Sequence, residues 1–573
     1  MIHVKGKPGA PGFAHGKIVL MKKVVVQEAS GSSADPAAEA RRMREARQKC
    51  LDETGVLYEE AKERLGEEDA KIIKAYLMML EDKALLDPIV KQIEKGVFAE
   101  AAVEAETKKL AARFETFTNE YMRQRADDIR HVGRMLINCL QGAEELVLPQ
   151  EPFILAAQDL SPADTLKMNK DYLAGIVTQL GGKTSHTVIL SKTMGIPAII
   201  GVEEIFDVFP QGESAVMDGS SGDIYIAPDD KTAARFEALA AEEKLLCGRI
   251  RSAGLTKGVT RDGRSISICA NVGGGEDMEL LENTAYDGIG LFRTEFVFGA
   301  FNRYPSFEEQ REAYTAVVAA AQGRPVIIRT LDIGGDKALP YLELPEEENP
   351  FLGYRAVRVC LDREDIFLEQ MMAILAAGAA GSVRIMFPMI TEMRELTACK
   401  SLLQKAKSNL AEKGIAFDAD IPVGMMVETP ASAVMAERFA AACDFLSIGT
   451  NDLIQYVTCT DRVNPSVQSL YNPYNPAVIR LIAHTIRSCN KAGIEVSVCG
   501  ELAGDLTFLL LLVGLGIDKL SVAPSLVEKV RYMVCGAERK ALALLAEKVL
   551  ELDDPAQIEA LLDEARKKIL GAL

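Results

Sequence analysis

The stretch IPVGMMVETPASAVMAERFAAACDFLSIGTND at residues 421–452 contains the repeating unit from which the C-terminal half of the chain is built. It opens with an apolar run that ends at Glu428, continues through apolar residues at helical spacing, and closes with a second apolar run that ends at Asp452. Short apolar runs bounded by turn residues are typical of buried parallel strands, and the segment between them suits a crossover helix. The stretch therefore predicts a strand–helix–strand unit of a parallel sheet.

The same unit recurs from about residue 260 to the end of the chain. Eight strand–helix repeats predict a (β/α)8 TIM barrel, with a doubly wound open sheet as the alternative. The predicted strands are SISICANV (265–272), GIGLFRTE (288–295), PVIIRTLD (325–332), VRIMFPMI (383–390), IPVGMMVET (421–429), FLSIGTND (445–452), IEVSVCGE (494–501) and KLSVAPS (519–525).

The N-terminal part of the chain has a different pattern. Residues 1–21 and 146–228 contain short apolar strands, and between them residues 22–145 carry charged and apolar residues at helical spacing. We therefore expect a multidomain α/β protein: an α/β domain interrupted by an inserted bundle of three or four helices, then a linker helix at 229–257 that acts as a hinge, then a barrel domain at 258–573. The inserted bundle is either a spacer or a docking surface.

Composition limits the classes of partner. The 573 residues carry a net charge of −18, which argues against nucleic-acid binding. The chain has no apolar run long enough for a membrane span and no apolar signal segment near its start. Its 11 cysteines are scattered, as expected for reduced thiols in a cytoplasm. We expect a cytoplasmic protein without membrane insertion.

Arginines follow several of the predicted strands. Arg293 and Arg329 end two neighbouring strands, and Arg355 and Arg462 lie in later loops. The active sites of such barrels lie at the carboxyl ends of the strands, and the planar guanidinium group suits phosphate and carboxylate. Any one of these arginines alone would more often be a surface ion-pair partner. Together they predict a site for a small anion.

Carboxylates and a thiol end three further strands. Glu428 and Asp452 could act as acid and base, could pair with the arginines, or could hold a divalent cation; beside phosphate, Mg²⁺ is favoured. Cys499 is either a core residue or a proton donor, because a thiol with a pKa of about 8.5 is protonated at neutral pH. These groups suit phosphoenolpyruvate, which on losing its phosphoryl group leaves an enolate that needs a proton.

The motif GGKTSHT at residues 181–187 supplies a candidate phosphoryl acceptor. Its glycines permit a sharp turn, and its hydroxyls can bind an anion at a helix start. On these residues alone, His186 could equally be a structural histidine near a turn. The barrel site has no nucleophile of its own, however, so we predict that His186 accepts the phosphoryl group.

These motifs, in this order, resemble enzyme I of the bacterial phosphoenolpyruvate-dependent sugar phosphotransferase system, and the resemblance covers nearly the whole chain. It implies phosphoenolpyruvate–protein phosphotransferase activity as the first step of sugar uptake, with pyruvate released. The motifs that carry it are GGKTSHT, GLFRTEFVF, RTLDIGGDK, EENPFLGYRA, RIMFPMI, VETPA, FLSIGTNDLIQY and VCGELAG.

The resemblance also implies partners and residue roles. The inserted helices would bind the phosphocarrier protein HPr, and the barrels would pair in a cytoplasmic homodimer. Lys183 stands where many relatives have arginine, which keeps the charge but loses the bidentate fork. The alternative is a catalytically silent regulatory scaffold that binds phosphoenolpyruvate and HPr. The implied roles are phosphohistidine for His186, phosphoenolpyruvate binding for Arg293, Arg329, Asn451, Asp452 and Arg462, Mg²⁺ ligation for Glu428 and Asp452, and proton donation for Cys499.

Overall fold

The computed structural model divides into two compact units, residues 1–248 and 249–573. The division falls within one helix, Asp230–Ala253. The structure describes residues 1–21, 35–65, 71–115, 120–141, 149–158, 160, 172–180, 188, 191, 196–282, 284–334, 339, 341–342, 344–345, 347–462, 464, 466–467 and 470–572.

In its described part, the first unit contains an eight-stranded sheet. Its strands are β1 (Ile2–Lys5), β2 (Lys7–Ala10), β3 (Phe13–Met21), β4 (Phe153–Ala157), β5 (Leu173–Thr178), β6 (Ala198–Ile200), β7 (Ser214–Asp218) and β8 (Asp223–Ile226). The order across the sheet is β1-β8-β7-β3-β4-β5-β6-β2. Strand β3 pairs parallel with β4 and antiparallel with β7. Strands from before and after the helical segment thus share one sheet.

Both faces of this sheet are covered. Side chains alternate between the two faces of a strand, and along β3 Ile18 and Leu20 join one apolar cluster while Val19 joins another. On the adjacent strand, Ile154 joins the first cluster and Leu155 the second. This burial on both sides explains why the strands read as near-continuous apolar runs.

The segment between β3 and β4 is helical, as its periodicity predicts, but it has more helices than expected. The described residues form α1 (Pro36–Leu65), α2 (Lys71–Glu81), α3 (Lys83–Glu94), α4 (Ala99–Glu115) and α5 (Glu120–Gln141). The extra break comes from Asp82, whose carboxylate accepts a hydrogen bond from the Ala84 backbone N–H at 2.8 Å and starts α3. Helices α2 and α3 are therefore separate.

The second unit is a closed barrel of eight parallel strands, so the predicted TIM barrel is confirmed. Every predicted apolar run contains one of them. The barrel strands are β9 (Ser267–Val272), β10 (Ile289–Arg293), β11 (Val326–Arg329), β12 (Val383–Phe387), β13 (Val423–Val427), β14 (Phe445–Ile448), β15 (Glu495–Val498) and β16 (Lys519–Val522).

Helices follow the strands in sequence. No helix in the described part of the chain is both long and apolar enough to cross a membrane. After α6 (Ile205–Val208) and α7 (Asp230–Ala253), the helices are α8 (Gly275–Glu279), α9 (Glu295–Gly299), α10 (Phe307–Ala320), α11 (Val357–Asp362), α12 (Glu364–Gly378), α13 (Met393–Glu412), α14 (Pro430–Val434), α15 (Ala436–Ala440), α16 (Thr450–Thr458), α17 (Pro476–Ala492), α18 (Phe508–Leu515), α19 (Val527–Gly536), α20 (Arg539–Glu551) and α21 (Pro555–Ala572).

The barrel interior is closed at the amino ends of its strands by an ion cluster. Arg384 and the buried Lys519 each lie 2.7 Å from Oε1 of Glu495. Apolar side chains fill the middle of the barrel. The polar groups at the carboxyl ends of the strands therefore lie above an apolar interior. The apolar cluster is Leu291, Ile327, Met386, Met426, Phe445 and Cys499.

Candidate active site

The predicted strand-end residues all lie at the carboxyl ends of the barrel strands. Arg293 and Arg329 are the last residues of β10 and β11 and stand opposite each other in the strand register. Parallel strands deliver their carboxyl ends to the same face of a barrel, which is why these side chains come together. The set is Arg293, Arg329, Glu428, Asn451, Asp452 and Cys499.

Arg329 is held by two buried carboxylates that sequence reasoning missed. Its Nη2 atom bonds Glu295, the first residue of α9, and its Nη1 atom lies 3.0 Å from Oδ2 of Asp332. The Arg329 side chain is only 6% exposed. These paired charges fix the plane of the guanidinium group at the end of its strand.

Arg355 is fully enclosed. Its Nη2 atom lies 3.0 Å from Oδ1 of Asp332, and its Nη1 atom donates to Oδ1 of Asp452 at 3.3 Å and to the Tyr456 hydroxyl at 3.2 Å. Gly334 has φ +102°, and a Cβ there would lie 2.5 Å from Cβ of Arg355, so the loop must carry glycine to seat this arginine. The predicted substrate-binding Arg355 thus lies behind the site and orients two of its carboxylates.

The more accessible cations are at the edge of the site. The Arg293 side chain is exposed, and Arg462 has its Nη1 atom 4.0 Å from Oδ1 of Asp452 with the side chain 22% exposed. Asn451 exchanges two hydrogen bonds with Glu501, accepting from its backbone N–H at 3.0 Å and donating to its carboxylate at 3.2 Å. Arg293 and Arg462 are therefore more accessible than Arg329 and Arg355 at this end of the barrel.

Glu428 is buried among other charges. Its Oε1 atom accepts a hydrogen bond from the backbone N–H of Met389 at 2.6 Å. Burial raises the pKa of Glu428 to about 8, with further upward contributions from Asp452 and Asp332; the two buried arginines oppose the shift. A carboxylate in these surroundings gains stability from an additional cation.

The surroundings of Glu428 fit a divalent cation whose coordination shell is completed by other ligands. A Cβ at Gly449 would lie 2.9 Å from Oε2 of Glu428, so glycine leaves space beside that oxygen. Within the described residues, no three His, Cys, Asp or Glu side chains are grouped closely enough to hold a metal ion. Mg²⁺ prefers oxygen ligands and keeps water and substrate phosphate in its shell. Glu428 and Asp452 fit that mode of binding.

Cys499 lies at the floor of the site. It is 3% exposed, and burial raises the pKa of its thiol. Its backbone carbonyl accepts a hydrogen bond at 3.0 Å from the side chain of Asn271, on β9, and the Asn271 amide oxygen in turn accepts from Ser521 at 2.7 Å. The thiol is therefore protonated and firmly positioned.

Some of the missed residues left a signal in the sequence. Glu295 and Asp332 follow the strand-ending arginines Arg293 and Arg329 by two and three residues, a position where a charged side chain faces the same barrel end. Tyr456 lies one helical turn after Asp452 on α16. Asn271 sits in an apolar strand and can be assigned only from its contacts.

The predicted phosphohistidine motif lies outside the described residues. This applies to all of GGKTSHT, including Lys183 and His186. Residues 335–338 of the motif RTLDIGGDK also lie outside the described residues. The predictions for His186 and Lys183 therefore rest on the sequence.

Comparison with known proteins matches most of the chain to one group of enzymes. Three family models match: the N-terminal domain of PEP-utilising enzymes at residues 5–125, their mobile domain at residues 149–222, and their PEP-binding domain at residues 249–539.

Curated relatives match over nearly the full length. The phosphoenolpyruvate-protein phosphotransferase of Staphylococcus carnosus is 38% identical over 571 residues, covering 98% of this chain and 99% of the relative. The protein of the same name from Enterococcus faecalis is 38% identical, with the same coverage. The one from Bacillus subtilis is 37% identical and covers 99% of this chain and 100% of the relative. The chain therefore belongs to the phosphoenolpyruvate-protein phosphotransferase family.

Proposed function

We propose that this phosphotransferase binds phosphoenolpyruvate at the carboxyl end of its barrel, transfers the phosphoryl group to its own His186 and releases pyruvate. One observation carries the proposal. Anion-binding arginines, cation-binding carboxylates and a protonated thiol meet at one end of the barrel, above an apolar interior. Phosphoenolpyruvate requires each of these groups.

The arginines have separate roles in binding. Arg293 and Arg462 attract and hold the anionic substrate because their guanidinium groups are accessible. Arg329 offers the substrate a guanidinium group of fixed orientation, and Asn451 adds a polar contact to the substrate. Arg355 acts as a positioning residue, since its guanidinium group is occupied by Asp332 and Asp452.

The metal is proposed to be Mg²⁺, held by Glu428 and Asp452. The family uses a divalent cation, and the oxygen ligands with the space beside Gly449 favour this one. The chemistry that bound Mg²⁺ supplies is neutralisation of charge on the substrate oxygens. The chain's own residues keep both carboxylates oriented, through the Met389 backbone at Glu428 and through Arg355 at Asp452.

Phosphoryl transfer and protonation are separate events. A neutral imidazole nitrogen of His186 forms a bond to phosphorus as the bond from phosphorus to the enol oxygen breaks. The Cys499 thiol then gives its proton to the terminal carbon of the enolate, which yields pyruvate, and the thiolate regains a proton from solvent. Burial raises the pKa of Cys499, so the thiol still carries its proton when the enolate forms.

The remaining steps concern partners. His186 would pass its phosphoryl group to a histidine of HPr bound at the helices of residues 36–141, as the first step of sugar uptake. One histidine cannot face both reactions at once, so α7 would serve as a hinge. We further propose that the protein is a cytoplasmic homodimer that pairs through its barrels.

A labelling experiment tests the proposal. Purified protein mixed with phosphoenolpyruvate labelled in the phosphoryl group should acquire label in the presence of Mg²⁺. His186→Ala should lose all of it, because the acceptor nitrogen is gone, whereas His3→Ala, a change at an exposed histidine of the same unit, should keep it. An unlabelled wild-type protein, or label retained by His186→Ala, would contradict the proposed reaction.

Metal binding is tested at Glu428. Glu428→Gln keeps the shape of the side chain but removes its charge, so the Mg²⁺ concentration needed for half-maximal labelling should rise by about tenfold or more. Glu437→Gln, at an exposed ion pair with Lys491, is the control and should leave the titration unchanged. Identical titrations for Glu428→Gln and wild type would remove Glu428 from the metal site.

A further inference from the structure

Two cysteines of the helical segment lie on packed helices. Cys50 lies on α1 and Cys139 on α5, within one apolar cluster, and both thiols are free. The two thiols interact electrostatically, and each shifts the pKa of the other. Neither residue takes part in the barrel chemistry described above.

The two thiols differ in access. Cys50 is 1% exposed, whereas Cys139 is half-buried. The Cys139 sulfur lies 3.8 Å from Oε2 of Glu53, whose other oxygen is 3.7 Å from the Lys49 ammonium. Cys50 lowers the pKa of Cys139, although burial and Glu53 oppose that shift. Cys139 is therefore the more accessible of the two thiols and the one that a reagent in solution meets first.

The packing of the two helices suits a covalent link. Packed helices have axes about 8–10 Å apart and Cα atoms about 2.3 Å from each axis. Facing residues can therefore meet the Cα separation of about 4.4–6.8 Å that a disulfide requires. Cys139 contacts Glu53, which follows Cys50 by three residues on α1, so Cys139 lies beside the turn of α1 that carries Cys50. A link would close a ring that contains most of the helical segment.

We propose that Cys50 and Cys139 form a redox-modification site that reacts with low-molecular-weight disulfides to give an intramolecular disulfide between α1 and α5. The Cys139 thiolate attacks one sulfur of the reagent, which forms a mixed disulfide and expels one thiolate. The Cys50 thiol then loses its proton and attacks Cys139, which expels the second thiolate. The two protein thiols are oxidised, and the reagent is reduced to two thiols.

The experiment uses the full chain in glutathione buffers stepped from reduced to oxidised. Samples are quenched with an alkylating reagent, digested and analysed by mass spectrometry. We expect a peptide pair linked through Cys50 and Cys139 in monomeric chains, and backbone amide exchange in α1 and α5 that is slowed about tenfold or more by oxidation. Cys459→Ser, at an exposed cysteine, is the matched control and should keep the link.

Single variants test the order of attack. Cys50→Ser should trap a lasting glutathione adduct on Cys139, whereas Cys139→Ser should leave Cys50 unmodified while the protein is folded. Three results with wild-type protein would overturn the proposal. Both cysteines could still be alkylated after oxidation, the glutathione adduct on Cys139 could persist without displacement by Cys50, or the links could form only between chains. The result with wild-type protein tests the proposal even if one of these variants fails to fold.

Discussion

Replacing Cys499 with alanine should lower the rate of pyruvate formation from phosphoenolpyruvate by about 10²- to 10⁴-fold, the range for loss of a positioned general acid. The thiol is buried at the floor of the site, and its neighbour Asn271 holds the backbone at that point. Alanine leaves no proton to give to the enolate. Phosphoryl exchange at His186 should be reduced much less, because bond formation to phosphorus does not require the thiol.

The measurement compares two rates in the same preparation: pyruvate release, by a coupled assay, and labelling of the protein. Cys443→Ala, at another buried cysteine of the barrel unit, is the control and should change neither rate by more than a few-fold. Equal losses of both rates in Cys499→Ala would argue against proton donation. Burial raises the pKa of the Cys499 thiol in the wild type, so pyruvate release should lose its proton donor, and fall, only at pH values above the ordinary pKa of a free thiol.

Replacing Arg355 with methionine should lower the free energy of unfolding of the protein by about 3–5 kcal/mol. The guanidinium group is fully buried and bonds both Asp332 and Asp452. Methionine fills similar space but leaves these carboxylates beside each other without their shared cation. The loss is large because two buried carboxylates lose a cation that water cannot replace, even though Asp332 keeps its contact with Arg329.

Denaturant unfolding of the full chain, followed by a probe in the barrel, measures this loss. Arg363→Met removes an arginine whose ion pair with Asp365 is largely exposed, so it should cost at most about 1 kcal/mol. A similar small change for Arg355→Met would mean that Asp332 and Asp452 do not depend on Arg355. Phosphoenolpyruvate binding to the folded fraction should also weaken, since Asp452 would lose its orientation.

The amino-acid sequence by itself determined the barrel and the position of its chemistry. Eight apolar runs, each followed by a helical pattern, leave few ways to bury their surfaces, and a closed barrel is one of them. Because parallel strands in a barrel end at one face, the residues that end those runs had to meet. Arg293, Arg329, Glu428 and Cys499 were therefore predictable as neighbours although they lie far apart in the chain.

Only the tertiary structure decided which of these groups face a ligand and which are occupied by other residues. Sequence spacing predicts similar roles for Arg355 and Arg462, yet Arg355 is enclosed by Asp332 and Asp452, while Arg462 stays partly exposed. The position of Cys50 and Cys139 in one apolar cluster could likewise not be predicted from the scattered cysteines of the sequence. Periodicity reports which face of an element is buried, but it carries no information on which residue from a distant segment packs against that face.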